Sequence, residues 1–234
     1  ESNNMKINGF SRELRGSQST SGSWASWLLC VFMGLTLGKP ALAELGPVET
    51  LATMTATLEE LVKQDPEIIN DPQRLRLIAH EVVLPNVDIR TLSRWVLGKN
   101  WRTATPEQRD AFVTEFQELL LSTYLRQVKT YQGEVARFLP LRGEQKEGQA
   151  VVNAEIDQPN GPVVHAIFRM HKAERGWLIY DVSVEGISLV ATHRSSFNRE
   201  VSNGGLDKLI ARLHDMNVRN AEQGSEIVVE KTAN

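Results

Sequence analysis

The chain has 234 residues, 41% of them hydrophobic, with 26 Lys or Arg against 29 Asp or Glu and a formal charge of −3. That composition supports a packed core, while the slight acidity argues against a nucleic-acid role, which needs a basic surface to neutralise phosphates. The single cysteine excludes a disulfide framework within the chain.

Residues 1–43 read as a cleavable signal peptide. Lys6, Arg12 and Arg15 make a positive start, Trp27 to Leu37 form an apolar stretch, and Ala41-Leu42-Ala43 offers small residues for cleavage before Glu44. Gly34, Thr36 and the stop at Gly38-Lys39-Pro40 leave that stretch short of the roughly 20 apolar residues of a spanning helix. Glu1 to Asn4 precede the first methionine as a short extension. Cys30 lies inside the leader, so the processed chain is expected to carry no thiol, and its 22 basic and 27 acidic residues give a charge of −5.

The elements follow in order. Val48, Leu51, Leu58, Leu61 and Val62 recur at helical spacing until Asp65-Pro66. Asp71-Pro72 opens a second helix with Leu75, Ile78, Ala79, Val82 and Val83 as its stripe, closed by Pro85. Asp88 caps a short third helix carrying Leu92, Trp95 and Val96, with Gly98 as its stop. Thr105-Pro106-Glu107-Gln108 is a capping box ahead of the longest helix, whose apolar face runs from Phe112 through Phe116, Leu119, Leu120, Tyr124 and Val128 to Tyr131.

After Gly133 the period becomes alternating, which predicts strands over Glu134–Leu139, Ala150–Asp157, Val163–His171 and Trp177–Val184, joined as antiparallel hairpins. Val164, Ala166, Phe168 and Met170 share one face, matched by Leu178, Tyr180, Val182 and Val184, and the other face is wetter. Helical spacing returns from Ile187 to Val201, then the joint Asn203-Gly204-Gly205 leads to a last helix through Leu206, Leu209, Ile210 and Leu213. The expected fold is α+β, with N-terminal and C-terminal helices packed on one face of a curved antiparallel sheet of about four strands. It forms a single domain over 44–217, followed by a polar, disordered tail over 218–234.

Chemistry finds little support. The histidines (80, 165, 171, 193 and 214) form no metal-binding motif, although His165 and His171 fall on one sheet face. Gly204-Gly205 lacks the strand and lysine of a phosphate loop, and no serine sits in a nucleophile elbow. Asp181 and Glu185 are carboxylates near a strand end, and surface pairing with Arg169 or Lys172 is the plainer reading for them. No enzyme activity, metal or cofactor is expected.

Three runs carry a resemblance: Val82-Val83-Leu84-Pro85-Asn86-Val87-Asp88, Leu92 to Trp101, and Ala104 to Arg109. So do Phe112 to Tyr131, Trp177 to Val182 with Glu185-Gly186-Ile187-Ser188-Leu189, and Phe197 with Gly205 to Leu213. In that order they resemble the MlaC family of periplasmic phospholipid carriers. The resemblance implies an apolar pocket that holds the acyl chains of a glycerophospholipid as cargo, with no resident cofactor, in the periplasm of a Gram-negative cell. It implies exchange with the periplasmic part of an inner-membrane phospholipid ABC transporter and with an outer-membrane lipoprotein complex, in the upkeep of outer-membrane lipid asymmetry. For the pocket it points to Val87, Leu92, Val96, Phe112, Phe116, Leu120, Val164, Phe168, Tyr180 and Val182, and for headgroup or partner contact to Arg90, Arg94 and Arg102. Trp95 and Trp101 brace the short helix against the long one. An isomerase-like enzyme with a cone-shaped pocket, tested at Tyr180 and Asp181, and a periplasmic adaptor without lipid are the competing readings.

Overall fold

Each aspartate that precedes a helical stretch caps it through its side chain. In the computed structural model, which describes residues 45–128 and 133–232 with the last ten as backbone, α1 (Pro47–Gln64) gives way at Asp65 to a 3-10 turn over Pro66–Asn70. Asp71 then accepts from the amides of Gln73 and Arg74 to start α2 (Pro72–Ile78). The expected leader with Cys30, the expected cleavage site and Tyr131 lie outside the described residues, which all belong to one compact unit beginning at Ala43.

The second helix is shorter than its stripe suggests. Regular winding ends at Ile78, and Ala79–Val83 form a wider π turn followed by a 3-10 turn over Leu84–Asn86. Pro85 has no amide hydrogen to donate into the preceding turn, so the α-helical ladder cannot run through it, and the chain passes into the π and 3-10 turns while Leu84 keeps helical backbone angles of φ −60° and ψ −32°. Asp88 Oδ1 then accepts from Thr91 N at 2.8 Å to begin α3 (Ile89–Leu97). Gly98 stops it at φ +55°, a conformation that favours glycine, and a short α4 (Lys99–Thr103), which the periodicity does not resolve, follows.

The capping box forms as the spacing predicts. Thr105 N donates to Gln108 Oε1 at 3.1 Å and Gln108 N to Thr105 Oγ1 at 3.2 Å, at the head of α5 (Pro106–Val128). Gln108 Nε2 also reaches Asp207 at 2.7 Å, at the start of α7 (Leu206–Thr232). Further along, His214 Nδ1 donates to Glu115 at 2.9 Å and Asn220 to Ser122 at 3.2 Å, so α5 and α7 run side by side in the same direction. The helix α7 continues past residue 218, where the sequence suggests a disordered tail. The residues there include the helix formers Ala221, Glu222 and Glu226, and no proline interrupts them.

Five strands form one antiparallel meander in sequential order: β1 (Val135–Phe138), β2 (Gln149–Asp157), β3 (Val164–Ala173), β4 (Gly176–Val184) and β5 (Ile187–Ser188). The fifth takes the residues expected to begin the sixth helix. Glu185 at φ +47° and Gly186 at φ +78° give the two-residue hairpin turn that folds β5 back on β4. Ser188 then caps α6 (Leu189–Gly204), its Oγ accepting from Ala191 N at 3.0 Å, and Gly205 at φ +82° makes the joint to α7.

The register corrects one face assignment. Arg169 stands opposite Asp181 but Met170 stands opposite Ile179, so Tyr180 is the extra residue of a β-bulge. Ile179 and Trp177, rather than Tyr180 and Leu178, therefore share the face of Met170 and Phe168. Two apolar clusters result. One joins α3, α5, α6 and α7 around Phe112, Phe116, Phe197 and Leu213, and the other joins Leu51 of α1 to Ala150, Val152, Met170 and Ile179 of the sheet. The β4 side of the sheet is closed by β5 and by Val87, which bridges to Ile179 while Asp88 N donates to the Ile179 carbonyl at 2.8 Å.

Candidate functional site

One sheet face is apolar across four strands. Reading across the register, Phe138 of β1 stands opposite Ala154 of β2, Val152 opposite Phe168 of β3, and Phe168 opposite Val182 of β4. Ile156 and Val164 continue the face, as do Ala166 and Val184. Leu51, which is fully buried, covers one end of it, with Val48 and Met54 beside it on α1. Beyond that cover the residues are less enclosed. Phe138 and Phe168 meet edge to face at 5.9 Å and are half-buried, as are Val164 and Val182, and Val184 is 44% exposed.

The opposite face carries the charge. Arg137 lies within 2.8 Å of Asp157 and 3.2 Å of Glu155, and His165 Nδ1 is 3.5 Å from Glu185. His171 Nε2 donates to Asp88 Oδ2 at 2.8 Å, tying β3 to the cap of α3. Burial alone would raise the Asp88 pKa, but hydrogen bonds from Thr91 and His171 outweigh it and hold the carboxyl below its ordinary value. The two strand histidines thus have separate acidic partners, and among the described residues no three His, Cys, Asp or Glu side chains are grouped to hold a metal.

Eight of the ten apolar residues singled out by sequence divide between the two clusters. Val87, Phe168 and Val182 belong to the sheet cluster, and Val164 lies on the same face. Leu92, Val96, Phe112, Phe116 and Leu120 belong to the helix cluster, where Phe112 and Phe116 stack at 5.4 Å and both meet Phe197 edge on. Tyr180, displaced by the bulge, stacks on Trp95 of α3 at 6.5 Å and meets the His171 ring at 5.8 Å. Leu51, Phe138 and Ile179 join the sheet face without having been singled out. Phe138 could have been found by its alternation with Ala136, whereas Ile179 depends on the bulge.

The three arginines differ. Arg90 pairs with Asp110 at 2.6 Å and lies over the Trp101 ring, which Arg109 flanks as well. Both guanidinium groups lie within cation–π range of the Trp101 ring, at 5.5 and 5.6 Å. Arg94 and Arg102 are exposed and make no ion pair among the described residues. Asp181, by contrast, is buried and accepts from Ser188 Oγ at 2.9 and 3.1 Å and from Val190 N at 3.2 Å, with Arg169 Nε at 3.7 Å. It anchors the start of α6 to β4.

His193 of α6 lies against Phe116 at 5.1 Å and Phe197 at 5.4 Å, and burial among these rings lowers its pKa. The unfolded chain therefore binds a proton here at a higher pH than the folded one. Stability from this site is complete above the unfolded value and falls as the pH drops through it. Urea midpoints measured from pH 7 down to pH 5 are expected to decline, and to decline less in His193→Gln.

The family model described as MlaC protein matches residues 52–215. The chain belongs to the MlaC family. Among its relatives, the intermembrane phospholipid transport system binding protein MlaC of Haemophilus influenzae is 24% identical over 198 residues, which cover 81% of this chain and 91% of that protein. Toluene tolerance protein ttg2D of Pseudomonas putida is 24% identical over 161 residues, covering 68% and 74%. A phospholipid-binding protein from Ralstonia solanacearum, solved in complex with a phospholipid, superposes with a TM-score of 0.67 at 25% identity, covering 74% of this chain and 97% of that one. The MlaC match runs from within α1 through α6, takes in the whole sheet and ends in the first part of α7.

Proposed function

We propose that this protein is a phospholipid carrier of the space between two membranes, holding acyl chains against the apolar sheet face beyond α1. The observation that carries the reading is that face itself, continuous over four strands and half-open at Phe138, Phe168 and Val182, in a chain of the MlaC fold. Support comes from relatives named for phospholipid binding and transport. On this reading Val87, Val164, Phe168 and Val182 meet the chains, while Val96, Phe112 and Phe116, fully buried among protein side chains, are core. Arg94 and Arg102 are the exposed cations that remain open to phosphate or to an acidic partner.

Enclosure follows from the physics of the cargo. At ~0.8 kcal/mol per methylene, two ordinary acyl chains with about 28 methylenes would lose on the order of 20 kcal/mol in water. The carrier must match the bilayer closely, since a far tighter site would not release its lipid. It works with an inner-membrane ABC transporter as acceptor or donor and an outer-membrane lipoprotein complex at the other side, so the energy of transport comes from outside this chain. The chain itself needs no chemical step, and Asp181, the carboxylate an enzymatic reading would use, is engaged in holding α6.

Phe168→Asp places a charge where the chains would lie and is expected to reduce phospholipid transfer between donor and acceptor vesicles at least tenfold, since an unpaired carboxylate is costly among hydrocarbon. Val151→Asp, on the wet face of the neighbouring strand, should leave transfer unchanged. Val182→Trp, which fills the face without adding charge, should also reduce it. Wild-type transfer by folded Phe168→Asp and Val182→Trp would refute the assignment.

A further inference from the structure

The segment Ile89–Thr105 carries Arg90, Arg94, Lys99 and Arg102 and no acidic residue, and α6 adds Arg194 and Arg199 before its first acid, Glu200. The two segments lie together. Asn100 Nδ2 donates to Asn198 Oδ1 at 2.8 Å, and the Arg194 guanidinium lies 3.0 Å from where a Cβ on Gly98 would stand. At about 100° per residue, Arg94, Trp95 and Gly98 fall on the outward arc of α3, opposite the buried Leu92, Ser93, Val96 and Leu97. Arg194, seated at Gly98, therefore joins Arg94 and Trp95 on one surface, with Lys99 next in the chain. Arg90 is neutralised by Asp110, but Arg94, Lys99, Arg102 and Arg194 make no ion pair among the described residues. These cations are concentrated on a chain that is acidic overall.

We infer that this α3–α4–α6 surface docks the protein on an anionic bilayer. Unpaired cations complement the negative potential of a membrane carrying anionic lipids, each strengthening binding about fivefold. Trp95, 49% exposed among them, has the amphipathic ring that settles at the boundary between headgroups and acyl chains. Trp95 also stacks on Tyr180, so it is the exposed half of its indole that is free to enter the headgroup layer. The choice of a lipid surface rests on the carrier reading, which brings the protein to membranes; the charge and its placement do not.

Flotation with vesicles tests it. The purified protein is expected to float with phosphatidylcholine vesicles containing phosphatidylglycerol, not with phosphatidylcholine alone, and to be released by ~0.5 M salt, where screening is nearly complete. Lys99→Gln with Arg194→Gln should lower the partition coefficient about twenty-fivefold, and Lys99→Gln alone, which removes one exposed charge, about fivefold. Phospholipid extracted from each variant separates the two proposals. Weakened flotation with unchanged lipid content supports the docking surface. Equal flotation on both vesicle types, undiminished binding by the variants, or no binding by the wild type overturns it, and the carrier reading survives that result if the wild type still yields phospholipid.

Discussion

Phe116→Ala is expected to lower the free energy of unfolding by about 4 kcal/mol, read as a shift of the urea midpoint at unchanged slope. Phe116 is fully buried, stacks on Phe112 at 5.4 Å, and meets Phe197 at 5.6 Å and His193 at 5.1 Å. Removing the ring deletes contacts that α5 makes with α6, in a layer whose neighbours cannot all move in to fill the space. Against a typical total of 5–15 kcal/mol, the loss is a large fraction of the fold's stability. The variant also separates core from cargo surface. Protein that remains folded should carry as much phospholipid as wild type, because this ring belongs to the helix cluster and not to the sheet face. A midpoint shift equivalent to less than ~1 kcal/mol would mean that the cluster is loosely packed.

Asp181→Ala is expected to cost about 2–3 kcal/mol, because Ser188 Oγ and Val190 N would lose a common acceptor in a buried place. The damage should be local. Ser188 still caps Ala191 N, but the strand that positions it no longer grips it, so hydrogen exchange should rise first over the first turn of α6. Asp181→Asn keeps an acceptor oxygen and should recover part of the loss. An enzyme using this carboxylate would instead show a folded but inactive Asn variant. Full stability in Asp181→Ala would contradict the anchoring role.

The features legible in the sequence were those set by neighbouring residues. Asp71, Asp88 and the Thr105–Gln108 pair act within four residues of themselves, so their spacing alone places the starts of three helices, and the change of period at Gly133 places the sheet. The bulge at Tyr180 was not legible. Leu178, Tyr180, Val182 and Val184 alternate without a break, and only the pairing of Met170 with Ile179 shows that the strand shifts its face. For the same reason Tyr180 read as part of the apolar face but stands instead against Trp95 and His171. The division of the core into two clusters was equally hidden, since apolar residues on helices and on one sheet face look alike until the partners of each are known. Phe112 and Phe168 are both large and apolar, yet one closes the helix layer and the other lies half-open on the sheet.

Arg90 teaches the same lesson about charge. Sequence alone grouped it with Arg94 and Arg102, but a residue twenty positions on, Asp110, takes its guanidinium, and Trp101 takes its flank. What distinguishes a cation available to a ligand from one already used is a long-range contact.

On the proposed reading the half-open apolar face carries phospholipid. Protein purified from its native compartment without detergent, extracted with organic solvent and analysed by mass spectrometry, tests it most directly. Glycerophospholipid is expected in near-stoichiometric amount in the wild type and is expected to be lost in Phe168→Asp. A folded wild-type protein that yields no lipid, and whose tryptophan fluorescence does not respond when phospholipid is added, would contradict it.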